Sequence, residues 1–453
     1  MKSGKCRLFR PCSAPAVIAI AAAGALESST ALITEQKSTS RLWRRRKALL
    51  WVFVAAMIAT HVFFLWRVRD RIARGDPDFT VFYTAAKMLR EGQGAQLYDS
   101  RAQLAVQAEF ARNSDIRRGP LPYIHPPFEA LFFVPLTFLL YPVAFAAWNL
   151  INLAMLFGVA MLLKKSLLSL QRIPVWQMVL LCLAFFPVFA NFHQGQDAIL
   201  LLLVVALSFR ALDRDADFLA GCWLAFGLFK YHLILPLAVI LALWRGRKFI
   251  LGFASVSSAV LLISLGIVGW KGALQYPIYA WHVVSQPAFG GIPPGQLPSL
   301  FGLLAGWPFA HKIGSAMHVV VAAGSAALLT MVAGLRKHAQ HGVMFRLCFA
   351  SAIIAALLVG YSTNSYDLSL LVVPVAVITN RRLENPPEVK AILAPALPLL
   401  VSPLWFFLWM RWQRINVMAL FLLWWLFAMM AEVHRLNRLK EEPFPKSPLV
   451  ANA

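Results

Sequence analysis

About a dozen apolar runs, each near the length of a lipid-crossing helix, limit what this chain can fold into. A spanning helix needs about 20 mostly apolar residues, because every backbone N–H and C=O in hydrocarbon must bond inside its own segment. Of the 453 residues, 59% are hydrophobic and 14% charged, against about 25% charged in a soluble domain. The expected fold class is an all-α polytopic membrane protein of about twelve transmembrane helices. The 43 Lys and Arg outnumber the 20 Asp and Glu, leaving a net charge of +23. They sit in short loops between apolar runs: Arg44, Arg45, Arg46 and Lys47; Lys164 and Lys165; Arg245, Arg247 and Lys248; Arg336 and Lys337; Arg381 and Arg382. That is the positive-inside pattern. No basic face interleaves with exposed aromatics, so nucleic acid is not an expected partner. Cys6, Cys12, Cys182, Cys222 and Cys348 have neither disulfide-framework nor zinc spacing.

Residues 1–46 read as a disordered basic tail. The apolar stretch 15–26 behind Lys2, Lys5, Arg7 and Arg10 resembles a signal-peptide core but is short for a span. A disordered tail fits it better, an over-called start being one account of it. Residues 47–436 form the transmembrane domain, with a first outer loop at 67–127, and 437–453 a cytoplasmic tail. The first span, 48–66, comes after a basic flank at 41–47 that belongs in the cytoplasm. The loop then falls on the opposite face, although Arg67, Arg69, Arg71 and Arg74 crowd that end and Asp70 offsets them only in part.

Counted backward from the basic C-terminus, spans near 415–434, 391–410, 366–379, 343–360, 313–334 and 248–268 alternate consistently. Residues 217–244 read as two short helices meeting at Lys230, Tyr231 and His232, with both ends inside. Residues 128–163 read as two helices around Tyr141-Pro142. If both crossed, Lys164 and Lys165 would lie outside; if 128–140 does not cross, the conflict vanishes.

Four polar intervals reach the outer face: the loop 76–127, the segment 191–197 with His193, Gln196 and Asp197, the tip Lys230-Tyr231-His232, and 361–367 ending on Asp367. Lys230 is the sharpest, since a Lys at a helix centre costs about 2.5–3.5 kcal/mol to insert. It either faces a polar cavity, where an anionic phosphate is a fitting partner, or snorkels to an interface. Asp78 can act as a general base toward a hydroxyl, and Asp76 could join it on a divalent cation such as magnesium or manganese. These residues do not by themselves fix a cofactor. Asp76-Pro77-Asp78 can equally be a turn that caps the following helix. His125, before Pro126-Pro127, is a phosphate or acceptor contact or simply marks a helix start. The tryptophans fit interfacial positions.

In order, Asp78-Phe79, Phe82-Tyr83, Ala85-Ala86, Gly92, Leu97-Tyr98-Asp99, Tyr123, His125-Pro126-Pro127 and Pro135-Leu136 resemble glycosyltransferase family 87. Gly195-Gln196, Lys230-Tyr231 and Pro236 extend the resemblance over about 48–435. It implies the C-type glycosyltransferase membrane fold (GT-C). It also implies inverting transfer of a hexose, typically mannose, from a polyprenyl-phosphate donor to a lipid or glycan acceptor. The reaction would occur on the non-cytoplasmic face of the plasma (inner) membrane. Asp78 takes the position of the base and Lys230 that of the lysine facing the lipid phosphate. Tyr83, His125, His193, Gln196 and Asp367 are the further substrate-binding candidates. Two departures bear on donor and acceptor contacts. Asp197-Ala198 stands where the family often has Asn, and Tyr366-Asp367-Leu368-Ser369 replaces a segment that usually carries two histidines. The rival reading is a lipid-phosphate transporter, which has no need of Asp78.

The basic flanks make a topological prediction. A tag inserted near Gln93 should be reached only from outside the cell and one after Arg435 only from the cytoplasm; labelling of both from one side would remove the outward site.

Overall fold

A computed structural model describes residues 45, 47–111, 121–285, 294–305, 314–384 and 417–441. The expectations for 1–44, for the span near 391–410 and for 442–453 fall outside these. Residues 1–59 and 60–453 form two compact units. The described part of the first belongs to the helix Lys47–Arg67, and every later helix lies in the second. All regular structure among the described residues is helical. Seven helical segments, Asp217–Arg245 among them, are long and apolar enough to cross a membrane, or eight if the bent pair Val175–Leu183 and Phe186–Gln194 is one span. The twelve expected spans are not reached among the described residues, because several apolar runs are half-length elements.

The clearest of these is Asp217–Arg245, whose 29 residues would stretch about 43 Å as one straight helix. Its two ends instead meet: Arg245 Nη1 lies 3.8 Å from Asp217 Oδ1 and 3.3 Å from Asp215 Oδ1. The segment is therefore a hairpin, Asp217–Ala225 going in, a 3-10 turn at Phe226–Lys230, and Tyr231–Arg245 coming back. Lys230, with ψ of 59°, is where the helical path breaks. The two short helices expected to meet at Lys230 are present. A third half-length element, Ala198–Leu212, packs beside the hairpin, with Ser208 donating to the Ala220 carbonyl at 3.0 Å.

The basic loops gather at the far ends of these elements. Asp213 pairs with Arg346, Asp215 with Arg245 and His341, and the His338 and His434 rings approach to 5.8 Å. The Ser169 amide, just past Lys164 and Lys165, donates to Asn380 Oδ1, beside Arg381 and Arg382. Helix Tyr141–Ser166 carries the chain from the loop region to this end. The stretch before it does not cross: Phe79 touches both Phe133 and Tyr141, at 6.2 and 5.7 Å, so 133 and 141 stay at one level. At about 1.5 Å per residue, Pro127–Phe138 is also too short for the roughly 30 Å hydrocarbon core. The parity conflict at Lys164 disappears.

The loop is itself a small folded layer. Phe79–Arg90 buries nearly every residue, with Phe82 stacked on Phe133 at 4.7 Å. Asp99 caps Ser100–Phe110 by accepting from the Arg101 and Ala102 amides at 2.7 and 3.1 Å. The long helix beginning at Arg247 kinks at Gly269, where φ is 69°, a conformation glycine reaches without steric penalty. Residues 248–268 form the expected span, and the stretch after 270 continues as helix to Ser285. It lies on the loop layer, Tyr276 donating to the Ile124 carbonyl at 3.0 Å.

The hairpin makes an accessibility prediction. In a cysteine-free background, single cysteines at Arg214 and Lys248 should be labelled by an impermeant thiol reagent from the same side of the membrane. Labelling from opposite sides would require a single crossing instead.

Candidate active site

Lys230, only 2% exposed, is held by two buried carboxylates: its Nζ lies 2.9 Å from Asp197 Oδ1 and 2.9 Å from Asp367 Oδ1. The Tyr366 ring underlies the ammonium, with its centroid 4.8 Å away. Three of the four polar intervals thus converge on one point. Local geometry turns each acid toward the lysine. Asp197 precedes Ala198–Leu212 but makes no side-chain cap bond; Asn191 Oδ1 accepts from the Ile199 amide in its place, at 3.3 Å. Asp367 Oδ2 accepts from the Asn364 amide at 2.8 Å, leaving Oδ1 to Lys230.

Asp78 closes the fourth interval onto the same centre. As N-cap of Phe79–Arg90 it makes no capping bond with its side chain, which separates it from the turn-and-cap reading. Its Oδ2 instead accepts from Gln196 Nε2 at 2.8 Å, and its amide donates to Gln194 Oε1 at 3.1 Å. Gly195 makes this clasp possible. It has a φ of 62°, and a Cβ there would meet Phe79 Cβ at 2.7 Å and Phe145 Cε2 at 2.8 Å. Only glycine combines that backbone conformation with that approach. The Trp148 indole then fixes the turn by donating to the Gln196 carbonyl at 3.2 Å.

His125 stands beside the hairpin tip, its Nδ1 3.0 Å from Glu129 Oε2 and its ring hydrogen-bonded to the backbone of Phe229. Burial, helped by the nearby Lys230 ammonium and opposed by Asp197, pushes it down to about 4, so the ring is neutral at pH 7. Its segment is pinned on three sides: Tyr98 donates to the His125 carbonyl at 2.9 Å, Tyr276 to that of Ile124, and the Tyr123 amide donates to Gln103 Oε1 at 3.0 Å. Two other candidates stand apart. Tyr83 donates to the Leu139 carbonyl at 2.8 Å and packs in the loop core. His193 lines a cleft of about 220 Å³ with Arg71, Asp76, Pro77 and Gln194, next to the Asp78 turn.

Asp76 pairs with Arg71 at 3.0 Å, while Asp78 is held by Gln196. Among the described residues, the donor atoms that converge are those of His125, Glu129 and Asp197, all within 4.8 Å of one another. Sequence reasoning missed Glu129. The signal that marked Lys230 also marks Glu129: it is the one charged residue in the apolar stretch 128–163.

With that geometry in view, the family model for glycosyltransferase family 87 matches residues 123–360, a little over half of the chain. The chain belongs to glycosyltransferase family 87. It is a multi-pass membrane glycosyltransferase. No curated protein and no solved structure matches it. The matched segment of this family member contains His125, Gln196, Asp197 and Lys230, while Asp78 lies before it and joins the site through Gln196.

The ion-pair geometry predicts a stability effect. Removing one partner of a buried charge group costs about 3–5 kcal/mol, so Lys230→Met should lower the thermal midpoint in detergent sharply. Adding Asp367→Asn should recover part of the loss. Equal midpoints for parent and single variant would leave the ion pairs without structural weight.

Proposed function

We propose that this family member transfers a hexose, mannose being the family's typical sugar, from a polyprenyl-phosphate donor to a lipid or glycan acceptor, with inversion. Asp78 is the base. The observation that carries this reading is the Asp78 carboxylate turned away from its own helix and held by Gln196 beside the Lys230 centre. The acceptor hydroxyl gives its proton to Asp78 while its oxygen attacks the anomeric carbon. The C–O bond to phosphate breaks, and the phosphate leaves with the electron pair. Aligning that hydroxyl opposite the leaving group supplies much of the acceleration.

The position of the site fits a lipid-linked donor. Fifteen residues of helix, as in Tyr231–Arg245, set the Lys230 centre about 22 Å from the basic loops. With those loops in the cytoplasm, the centre lies near the opposite edge of the bilayer, where a lipid phosphate resides. We assign the active face to the periplasm or cell exterior and the protein to the plasma membrane.

Lys230 is already paired with two carboxylates. A donor phosphate reaching it takes the place of one of them, and Asp367, at the end of the short turn 361–367, is the partner we assign to that exchange. The cleft beside the Asp78 turn, with Arg71 and His193 on its walls, is the open space for the rest of the phosphate or for the acceptor.

Asp78→Asn is nearly isosteric and breaks no cap, so folding should persist. Base catalysis is worth about 10²–10⁴-fold, so transfer from a synthetic polyprenyl-phosphate mannose by purified protein should fall at least about a hundredfold while donor binding stays. Asp76→Asn, at an ion pair with the exposed Arg71, should change little. Near-parental transfer by Asp78→Asn would remove Asp78 as the base, and lipid translocation without sugar transfer by the parent would favour a transporter.

A further inference from the structure

Glu129 is fully buried, and its Oε1 has no hydrogen-bond donor. Its carboxylate nonetheless approaches that of Asp197, with donor atoms within 4.8 Å of each other. Two ionised carboxylates are both acceptors, so such an approach needs a proton or a cation between them. Charge counting sharpens the choice. Glu129, Asp197 and Asp367 are all buried, and the ammonium among them is that of Lys230. With all three ionised, three negative charges would face one positive charge, in surroundings where an unbalanced charge is costly. A divalent cation leaves the group neutral.

We propose that His125, Glu129 and Asp197 form a divalent-cation site beside the Lys230 ion pairs. Their donor atoms lie within 4.8 Å of one another. Donors about 2.0–2.2 Å from one ion can be at most about 4.4 Å apart, so a few tenths of an ångström of side-chain movement closes the set. The hydrogen bond between the His125 ring and the Phe229 backbone orients the ring, as outer partners do for metal-bound histidines. Tyr123, 3.3 Å from Glu129 Oε2, does the same for the carboxylate. His125 is the least covered of the three, with 18% of its side chain exposed, and gives the ion its way in. One imidazole nitrogen with two carboxylates selects manganese or zinc over calcium and magnesium, which prefer all-oxygen shells. The ion adds a positive charge on the hairpin side of the site, next to Lys230, where it attracts a phosphate oxygen. The binding claim itself is independent of the transfer reaction.

The test uses the full-length protein in detergent, stripped with a chelator and titrated with manganese. Free manganese is counted by its electron paramagnetic resonance signal. The parent should take up one ion per chain, displaced by zinc, and the bound ion should show the pulsed-resonance nitrogen modulation of one directly bound imidazole. Glu129→Gln should weaken uptake by more than the roughly 10–100-fold typical of losing an outer partner. His125→Gln should abolish the nitrogen modulation, and Asp76→Asn should bind as the parent does. No stoichiometric uptake by the parent would overturn the site in favour of a proton shared by Glu129 and Asp197. Uptake without nitrogen modulation would overturn it as well. Should Glu129→Gln fail to fold, the parent's modulation and its loss in His125→Gln decide the matter.

Discussion

A buried ammonium held between two buried carboxylates sets the depth of everything around it. Lys230 cannot remain charged in hydrocarbon unless Asp197 and Asp367 come to it, and each of these acids sits where two stretches of helix meet. Their approach ties the hairpin tip, the start of Ala198–Leu212 and the turn after Gly342–Val359 to one level. The far ends of the same elements are tied by a second set of pairs, Asp213 with Arg346 and Asp215 with Arg245 and His341. The half-length helices are therefore pinned at both ends. Within a membrane, where apolar packing gives little net drive for association, such polar anchoring carries much of the specificity.

The loop layer is joined to this frame by fewer contacts, and each has a defined task. Gly195 lets the chain turn tightly enough for Gln194 and Gln196 to grip Asp78 from both sides. Tyr98, Tyr276 and Gln103 hold the segment 123–125 through its backbone, leaving the His125 ring to face Glu129. Side chains that define the site are thus positioned by neighbours whose own hydrogen bonds are satisfied, which is how a site keeps its geometry before substrate arrives. Tyr83 belongs to the supporting layer, not to the centre.

The chain belongs to glycosyltransferase family 87, and its polar centre lies among apolar helices long enough to cross a membrane. The two departures from the family's usual residues acquire physical content here. Asp197 supplies one half of the Lys230 pairing, and Asp367 the other, with Tyr366 beneath the ammonium. The family's frequent Asn would fall two residues after Gln196, at Ala198, while losing the Asp197 carboxylate itself would leave Lys230 with one acidic partner.

The apolar runs and the basic loops between them determined the all-helical membrane class, the hairpin reaching Lys230 and the grouping of basic ends, because lipid enforces those rules residue by residue along the chain. A charge stranded in an apolar run likewise marked Lys230, and by the same rule Glu129 was open to detection. Only the tertiary structure decided which polar groups meet. Whether Asp78 caps its helix or turns to Gln196 depends on Gly195, more than a hundred residues away, and the sequence carries no sign of that contact. The pairing of Asp76 with Arg71 likewise shows only in the folded chain. Cation-binding geometry is a property of side chains from separate segments, and their distances exist only once the chain has folded.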